Sequence, residues 1–454
     1  MSPAAVAAPA ATLPGAGTLA ALLAGALVVI GALVVLFRRH PEALPLLAIG
    51  ALPFRVPIAA DGRTVNLLIP LYLVIGAGTL ARLPGRLPVR SGRGTGRRSR
   101  EEDPAIRWAQ WLLAASVVLY ALQIAYSDDR AKALENLVAF YIPFGLLFLA
   151  LRDIDWTAQL LRRCLAVAVM LAVLFAGVGF VEYARKSLFL NPKVVEANQY
   201  DNYFRVNSVF FDPSIYGRFL ALVMIAVTTA VLWGGRRTVK IGAAVLAWLL
   251  AGLVTSFSQS SLVALLLGLA VLGSWRWGLR RTLYVSGGLV ALGGAVLLLA
   301  PTSLHFGLKG SKGSASNATS GRATLITGGL ELFAERPLEG YGSGSFEREF
   351  KAHASAARAT AQNATSASHT IPVTVAAEQG ILGLALYVGL LVTSLLALFT
   401  GAGRSPPRIA LAAAFAALIL HTWTYADFLE DPFTWALLAI GISLARARPA
   451  PAAQ

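Results

Sequence analysis

Arg205 in FRVNSVFFDP, Arg322 in SGRATLITGGLELFAER and His369 in SASHTIP are the side chains of this sequence best suited to chemistry on a phosphorylated substrate. A guanidinium stays charged at every accessible pH and presents a fork of N–H donors that matches phosphate oxygens. Two of them close together hold a diphosphate. An imidazole titrates near neutrality and is the most frequent general base, able to take a proton from an attacking hydroxyl. Each residue alone also has a plainer reading: either arginine pairs with a lipid headgroup or with a local carboxylate such as Asp212, and a histidine at a helix start makes a structural hydrogen bond. His421, inside an apolar run near Tyr425 and Asp427, is the second functional histidine candidate, because polar groups within a membrane are costly and tend to have a purpose. The acids of the extracytoplasmic loops are scattered and the sequence has no HExxH, so the expected metal complement is none, and arginines stand where a divalent cation would otherwise hold phosphate.

The elements that must position these residues are apolar. Of 454 residues, 56% are hydrophobic and 14% charged, with a mean hydropathy of +0.65. A soluble domain carries about 25% charge, and about 20 apolar residues at 1.5 Å each cross the hydrocarbon core of a bilayer. The chain therefore reads as an all-α polytopic membrane protein of about 12–13 transmembrane helices, near 18–37, 43–59, 64–81, 108–126, 133–151, 159–181, 214–233, 241–255, 258–274, 282–300, 371–399, 408–424 and 432–446. Cys164 is the single cysteine and lies in an apolar run, which excludes an intrachain disulfide framework. The N-terminus has no basic region ahead of its first apolar run, so it does not read as a cleaved signal peptide.

Charge placement orients the spans. Taking the basic loop at 82–107 as cytoplasmic makes RRH at 38–40, GGRRTVK at 234–240, WRWGLRR at 275–281, GAGRSPPR at 401–408 and the C-terminal tail cytoplasmic too, and each is basic, as cytoplasmic loops are. The net charge of +16 is thereby a topology signal, and nucleic acid is not an expected partner. The same parity puts two long loops, 183–213 and 301–369, on the extracytoplasmic side, together with the short turns SFSQSS and YADFLEDP. Three parts follow: residues 1–300 as membrane helices with an outer loop near 183–213, residues 301–369 as an extracytoplasmic helical hairpin over the active site, and residues 370–454 as C-terminal spans with a basic tail. In the hairpin, a helix is expected over 324–336, with Ser320 as cap and Pro337 as stop, and a second over 346–364. Between them PLEGYGSG has the glycine content of a tight turn and a weak likeness to a phosphate cradle.

Five stretches in this order, RVNSVFFDPSIYGRFLAL from 205, SFSQSSLVALLLGLAV from 256, SGRATLITGGLELFAERPLEGYGSGSF from 320, SHTIPVTVAAEQGILGLALY from 368 and YADFLEDPFTWALLAIGI from 425, resemble the O-antigen ligase and polymerase superfamily of bacterial membrane glycosyltransferases. Two positions depart from the family pattern: Thr370 follows the histidine, and Gln259 follows Ser258 where an arginine is frequent. The resemblance implies a GT-C-like enzyme of the bacterial inner membrane that needs no metal or other cofactor and acts on the extracytoplasmic side. Its donor would be a glycan on undecaprenyl diphosphate. The acceptor would be a lipid A-core glycolipid for a ligase, or another lipid-linked sugar for a polymerase, with membrane lipids around both. It further implies that Arg205 and Arg322 bind the donor diphosphate, that His369 deprotonates the acceptor hydroxyl with inversion at the anomeric carbon, and that Tyr341, Glu378 and Asp212 support the site. A transporter or flippase of lipid-linked sugars is the rival of another class. Such folds favour internal repeats meeting at the bilayer midplane, whereas the polar residues here gather at one face.

Overall fold

The apolar runs fold as helices because a backbone in hydrocarbon must satisfy its own N–H and C=O groups. The structure is a computed structural model, and it describes residues 16–60, 63–83, 103–188, 204–288, 314–353, 368 and 370–447. Among these, eight helices are long and apolar enough to cross a membrane. They are α4 (Pro104–Gln123), the α5–α6 rod, α7 (Ala158–Arg185), α8 (Pro213–Trp233), α9 (Arg236–Thr255), α10 (Gln259–Trp277), α13 (Ile371–Phe399) and α14 (Pro406–Thr424). The rod comprises α5 (Arg130–Asn136), a π turn over Leu137–Tyr141 and α6 (Ile142–Arg152). The remaining helices are α1 (Ala16–Arg39), α2 (Ala43–Ala51), α3 (Ile69–Arg82), α11 (Ser314–Glu335), α12 (Phe346–Ala352) and α15 (Pro432–Arg446), with residues 279–288 also helical.

The same local device starts helix after helix. Asp103 accepts a hydrogen bond from the Ala105 N–H ahead of α4, and Asp431 accepts one from the Phe433 N–H ahead of α15. Each aspartate is followed by proline, Pro104 or Pro432, in the first turn, where the missing N–H costs nothing and the fixed φ suits a helix. Thr157 caps α7 through the Leu160 N–H.

The chain divides into two compact units. The first comprises Met1–Arg100, Leu149–Val227 and Lys240–Ser258. Its core brings α2 against α7, and Gly179 and Gly252 each face the Tyr216 hydroxyl oxygen, about 3.0 and 2.9 Å from where a Cβ would stand. The second comprises Glu101–Phe148, Thr228–Val239 and Gln259–Gln454. Its main pairings are α4 with α13 and α10 with α14. Gly389 receives Leu112 and Gly441 receives Leu398, the small-residue contacts that let membrane helices approach closely.

Four expectations about elements change. The span predicted over 43–59 is α2 followed by strand β1 (Val56–Ala60), and the span predicted over 64–81 is strand β2 (Arg63–Leu67) followed by α3. Pro53 and Pro57 withhold backbone donors and end the helix. The strands pair antiparallel, with Val56 opposite Leu67 and Ala60 opposite Arg63, and the sequence between them is Asp61-Gly62, a favoured hairpin dipeptide. The fold is thus all-helical apart from one short hairpin. In the extracytoplasmic segment, α11 begins at Ser314, so Ser320 lies inside the helix and does not cap it. The second helix is short, α12 ending at Ala352, and residues 354–367 lie outside those described.

Candidate active site

In the second unit the glycine turn GYGSG, residues 340–344, is folded onto protein rather than around a ligand. The Tyr341 N–H donates to the Ala377 carbonyl at 3.1 Å and the Gly342 N–H to the Glu378 carbonyl at 2.8 Å. The Glu378 carboxylate then accepts from the Gly344 N–H at 2.9 Å and the Phe346 N–H at 3.1 Å. Gly340, Gly342 and Gly344 all have positive φ, the backbone region that side chains disfavour. Two of them also touch the segment after α4: an added Cβ at Gly342 would collide with the Ser127 backbone in the turn before α5, and one at Gly344 would stand 2.9 Å from the Ala133 nitrogen of α5. The expected likeness to a phosphate cradle is corrected by this geometry, because these N–H groups already have protein partners.

Gly380 gives the turn its seat. Its φ of +64° interrupts α13, and the Ile381 N–H bonds the Pro337 carbonyl at 2.8 Å. Residues 371–379 therefore form a separate short rod whose last turn, Ala376–Gln379, backs the glycine turn. Leu325 and Leu332 of α11 and Phe346 and Phe350 of α12 join Tyr341 and Ala377 in one small apolar core. Its helical spacing on α11 explains why that amphipathic segment folds here.

The turn between α4 and α5 is the third wall, and sequence reasoning missed it. Ser127 Oγ donates to the Ser343 carbonyl at 2.8 Å, and the Asp128 N–H donates to the Tyr341 carbonyl at 3.2 Å. Arg348 donates to the Asp128 carbonyl, while Arg336 Nη1 lies 3.5 Å from the Asp128 carboxylate and its guanidinium 4.3 Å from the Tyr341 ring centroid. Tyr341 donates its hydroxyl to Glu335, and His353 Nε2 stands 3.3 Å from the same carboxylate. Burial, with Glu335 adding to it, pushes the Tyr341 phenol up to about 12 against the lowering influence of Arg336. Burial and then Asp128 hold the Glu349 carboxyl above its ordinary range, opposed by His353, Arg336 and Arg348. The YSDDR sequence at 126–130 carried the signal: a short polar turn on the side that the charge parity assigns to the long loops.

His369 itself lies outside the described residues, but its two neighbours are fixed. Ser368 Oγ donates to the Thr370 carbonyl at 2.6 Å and pairs with Thr374 Oγ1 at 2.8 Å. Thr370 Oγ1 donates to the Trp423 carbonyl at 3.2 Å, and Trp423 Nε1 to the Tyr387 hydroxyl at 2.9 Å. Ser368 and Thr370 are thus tied to the end of α14 and the start of α13. Arg322 lies on α11, where only its backbone is described.

His421 is wholly buried in α14, its Nε2 3.1 Å from Ser261 Oγ and 3.4 Å from Ser260 Oγ of α10. It joins two helices, as interhelical polar contacts in membranes do.

Arg205 belongs to the first unit. Its half-buried guanidinium donates through Nε to the Ser256 carbonyl at 3.4 Å, and the next residue, Val206, donates its N–H to the Thr255 carbonyl at 3.3 Å. Asn207 Nδ2 bonds the Phe210 carbonyl at 2.7 Å, and Ser208 takes a left-handed φ of +53°. Asp212 accepts from the Ser214 N–H at 2.6 Å, which makes it the cap of α8 ahead of Pro213.

Helices of spanning length, packed through small residues and carrying a braced polar segment at one end, define a polytopic helical membrane protein. Residues 243–388, about a third of the chain, match the family model described as O-antigen ligase. The matched segment contains Arg322, Tyr341, His369 and Glu378, whereas Arg205 and Asp212 precede it. None of the curated proteins searched matches the chain.

Proposed function

We propose that the protein is an inner-membrane glycosyltransferase of the O-antigen ligase type, which moves a glycan from undecaprenyl diphosphate to a sugar of a lipid A-core acceptor. The observation that carries this reading is the O-antigen ligase match over residues 243–388, which contains the expected base His369 and the expected diphosphate ligand Arg322. In the proposed step an acceptor hydroxyl oxygen attacks the anomeric carbon of the donor sugar and His369 takes the hydroxyl proton. The bond from that carbon to the diphosphate oxygen breaks on the opposite face, and undecaprenyl diphosphate leaves with inverted configuration on the transferred sugar. Arg322 and Arg205 neutralise the charge that develops on the leaving group; preorganised donors in a poorly hydrated site do this effectively. The braced turn at 340–344 keeps α11 and the start of α13 in fixed relation, which suits a roof over donor and acceptor.

Transfer by purified protein from a lipid-linked donor to lipid A-core, read as a glycolipid mobility shift, tests the reading. A general base supplies about 10²–10⁴ in rate, so His369→Ala is expected to lose at least about a hundredfold, with Arg322→Ala strongly impaired and EDTA without effect. Full turnover in either variant defeats the site assignment. A deletion strain that accumulates full-length polymer on the carrier lipid supports a ligase, whereas single repeat units left there make the protein a polymerase.

A further inference from the structure

Glu182 is the only acidic residue in the sequence of α7 and is wholly inaccessible to solvent. A buried carboxylate in an apolar span is costly and is retained where it has specific partners. Here the partner is the turn that follows Arg205. Glu182 Oε2 accepts the Ser208 N–H at 2.8 Å, while Ser208 Oγ donates to the Phe175 carbonyl of the same helix at 2.7 Å. Ser208 is not a glycine, yet its φ is +53°, a conformation that strains a side-chain-bearing residue and persists where the surroundings over-determine it. A hydrogen bond to a charged acceptor is about twice as strong as a neutral one, so the carboxylate is suited to hold that turn. Two residues separate Glu182's partner from the guanidinium it would steer, and the backbone at both, Val206 and Asn207, is pinned.

We propose that Glu182 is a positioning residue for donor binding: by holding Ser208 in its left-handed turn it fixes where the Arg205 guanidinium meets the donor diphosphate. The inference rests on the reading of Arg205 as a diphosphate ligand. It assigns Glu182 a role through Arg205 and no contact with substrate.

The test is a double-mutant cycle on the full-length protein in nanodiscs, with undecaprenyl diphosphate as the binding probe and donor KM, acceptor KM and kcat as kinetic readouts. Hydrogen bonds to charged groups contribute about 1.5–3 kcal/mol, and 1.4 kcal/mol is tenfold in affinity, so Arg205→Ala is expected to weaken the probe at least about tenfold. Glu182→Ala is expected to do nearly the same with acceptor KM unchanged, and Arg205→Ala/Glu182→Ala to be no weaker than the worse single variant, since residues acting as one unit are not additive. Ser208→Gly in the Glu182→Ala background should recover donor affinity, because glycine adopts the turn without cost. Additive losses, or unchanged donor affinity in folded Glu182→Ala protein, overturn the proposal. Where Glu182→Ala does not fold, Glu182→Gln carries the cycle: a donor KM raised about threefold by the lost charge assistance, with the increase absent in the Arg205→Ala background, supports it, and an unaltered donor KM overturns it. A silent Arg205→Ala removes the diphosphate reading itself, whereas an effective Arg205→Ala beside a silent Glu182 variant removes this inference alone.

Discussion

Glu378 serves the segment over the expected site through its shape as a bidentate acceptor: two carboxylate oxygens, each taking one N–H from the glycine turn or the start of α12. Removing it strands one buried and one part-buried donor, and an unsatisfied buried group costs about 1–3 kcal/mol. Glu378→Ala is therefore expected to lower stability by about 2–5 kcal/mol, measured by thermal unfolding in detergent, with Glu378→Gln losing clearly less because one acceptor oxygen remains. Tyr341 offers a pH test with a defined sign. Its phenol is held up to about 12 against an ordinary value near 10, so the folded state penalises the tyrosinate. The stabilising contribution is present below pH 10 and is lost as the pH rises from there through about 12. In a 295 nm titration, Tyr341→Phe should remove one late-titrating phenol, and its high-pH unfolding should be less steep than that of the unaltered protein. Motif likeness singled out Tyr341 and Glu378 in the sequence, but their partners were not legible there. Gly344 and Glu378 are 34 positions apart, and nothing in either local pattern specifies that they meet.

At the scale of elements, hydropathy located spans well and misread their interruptions. Residues 43–59 are apolar enough to pass as a helix, and the prolines that divide them into α2 and β1 act through missing donors that a hydropathy window does not register. The break in α13 was hidden in the same way, since AEQGILG continues an apolar helical pattern while Gly380 takes φ +64°. A Cβ there would run into the Leu338 carbonyl, and a strained backbone position costs about 1–3 kcal/mol on its own. Gly380→Ala is expected to lower the melting temperature and to disturb transfer together, read by unfolding and turnover on the same preparation. His421 should behave oppositely. Its hydroxyl partners lie on the neighbouring helix, and interhelical hydrogen bonds in membranes contribute about 0.6 kcal/mol and at most about 1.7. His421→Ala should lower stability by an amount of that order or somewhat more, because it also leaves a cavity. The turnover per folded molecule should be retained, and a loss there would return His421 to the list of catalytic candidates.

For the molecule as a whole, the sequence argument of widest reach is the placement of charge, because it depends on the membrane and not on any particular contact. Within the second unit, the turn before α5, the glycine turn, Ser368–Thr370 and the end of α14 are joined by hydrogen bonds at one end. At the other end, Trp275 packs 5.1 Å from Phe399 and Arg446 bonds Gln110 at 3.0 Å. The basic segments 275–281 and 401–408 thus share an end, and the polar turns share the opposite one, as parity requires of a chain that crosses the bilayer repeatedly. Loop contacts, in contrast, were not legible, since each is made by a few residues whose partners lie on distant spans. The orientation has a direct test, because Cys164 is the single cysteine and can be replaced by alanine to give a thiol-free background. A cysteine introduced at the half-buried Glu347 of α12 should react with a membrane-impermeant maleimide added to intact spheroplasts, whereas one at Gly403, in the turn before α14, should react only after permeabilisation. Labelling at Gly403 alone in intact spheroplasts would place the braced segment on the cytoplasmic side. A lipid-linked glycan presented at the outer leaflet could not reach it there, and the proposed transfer would fail on topology whatever the side chains of the site can do.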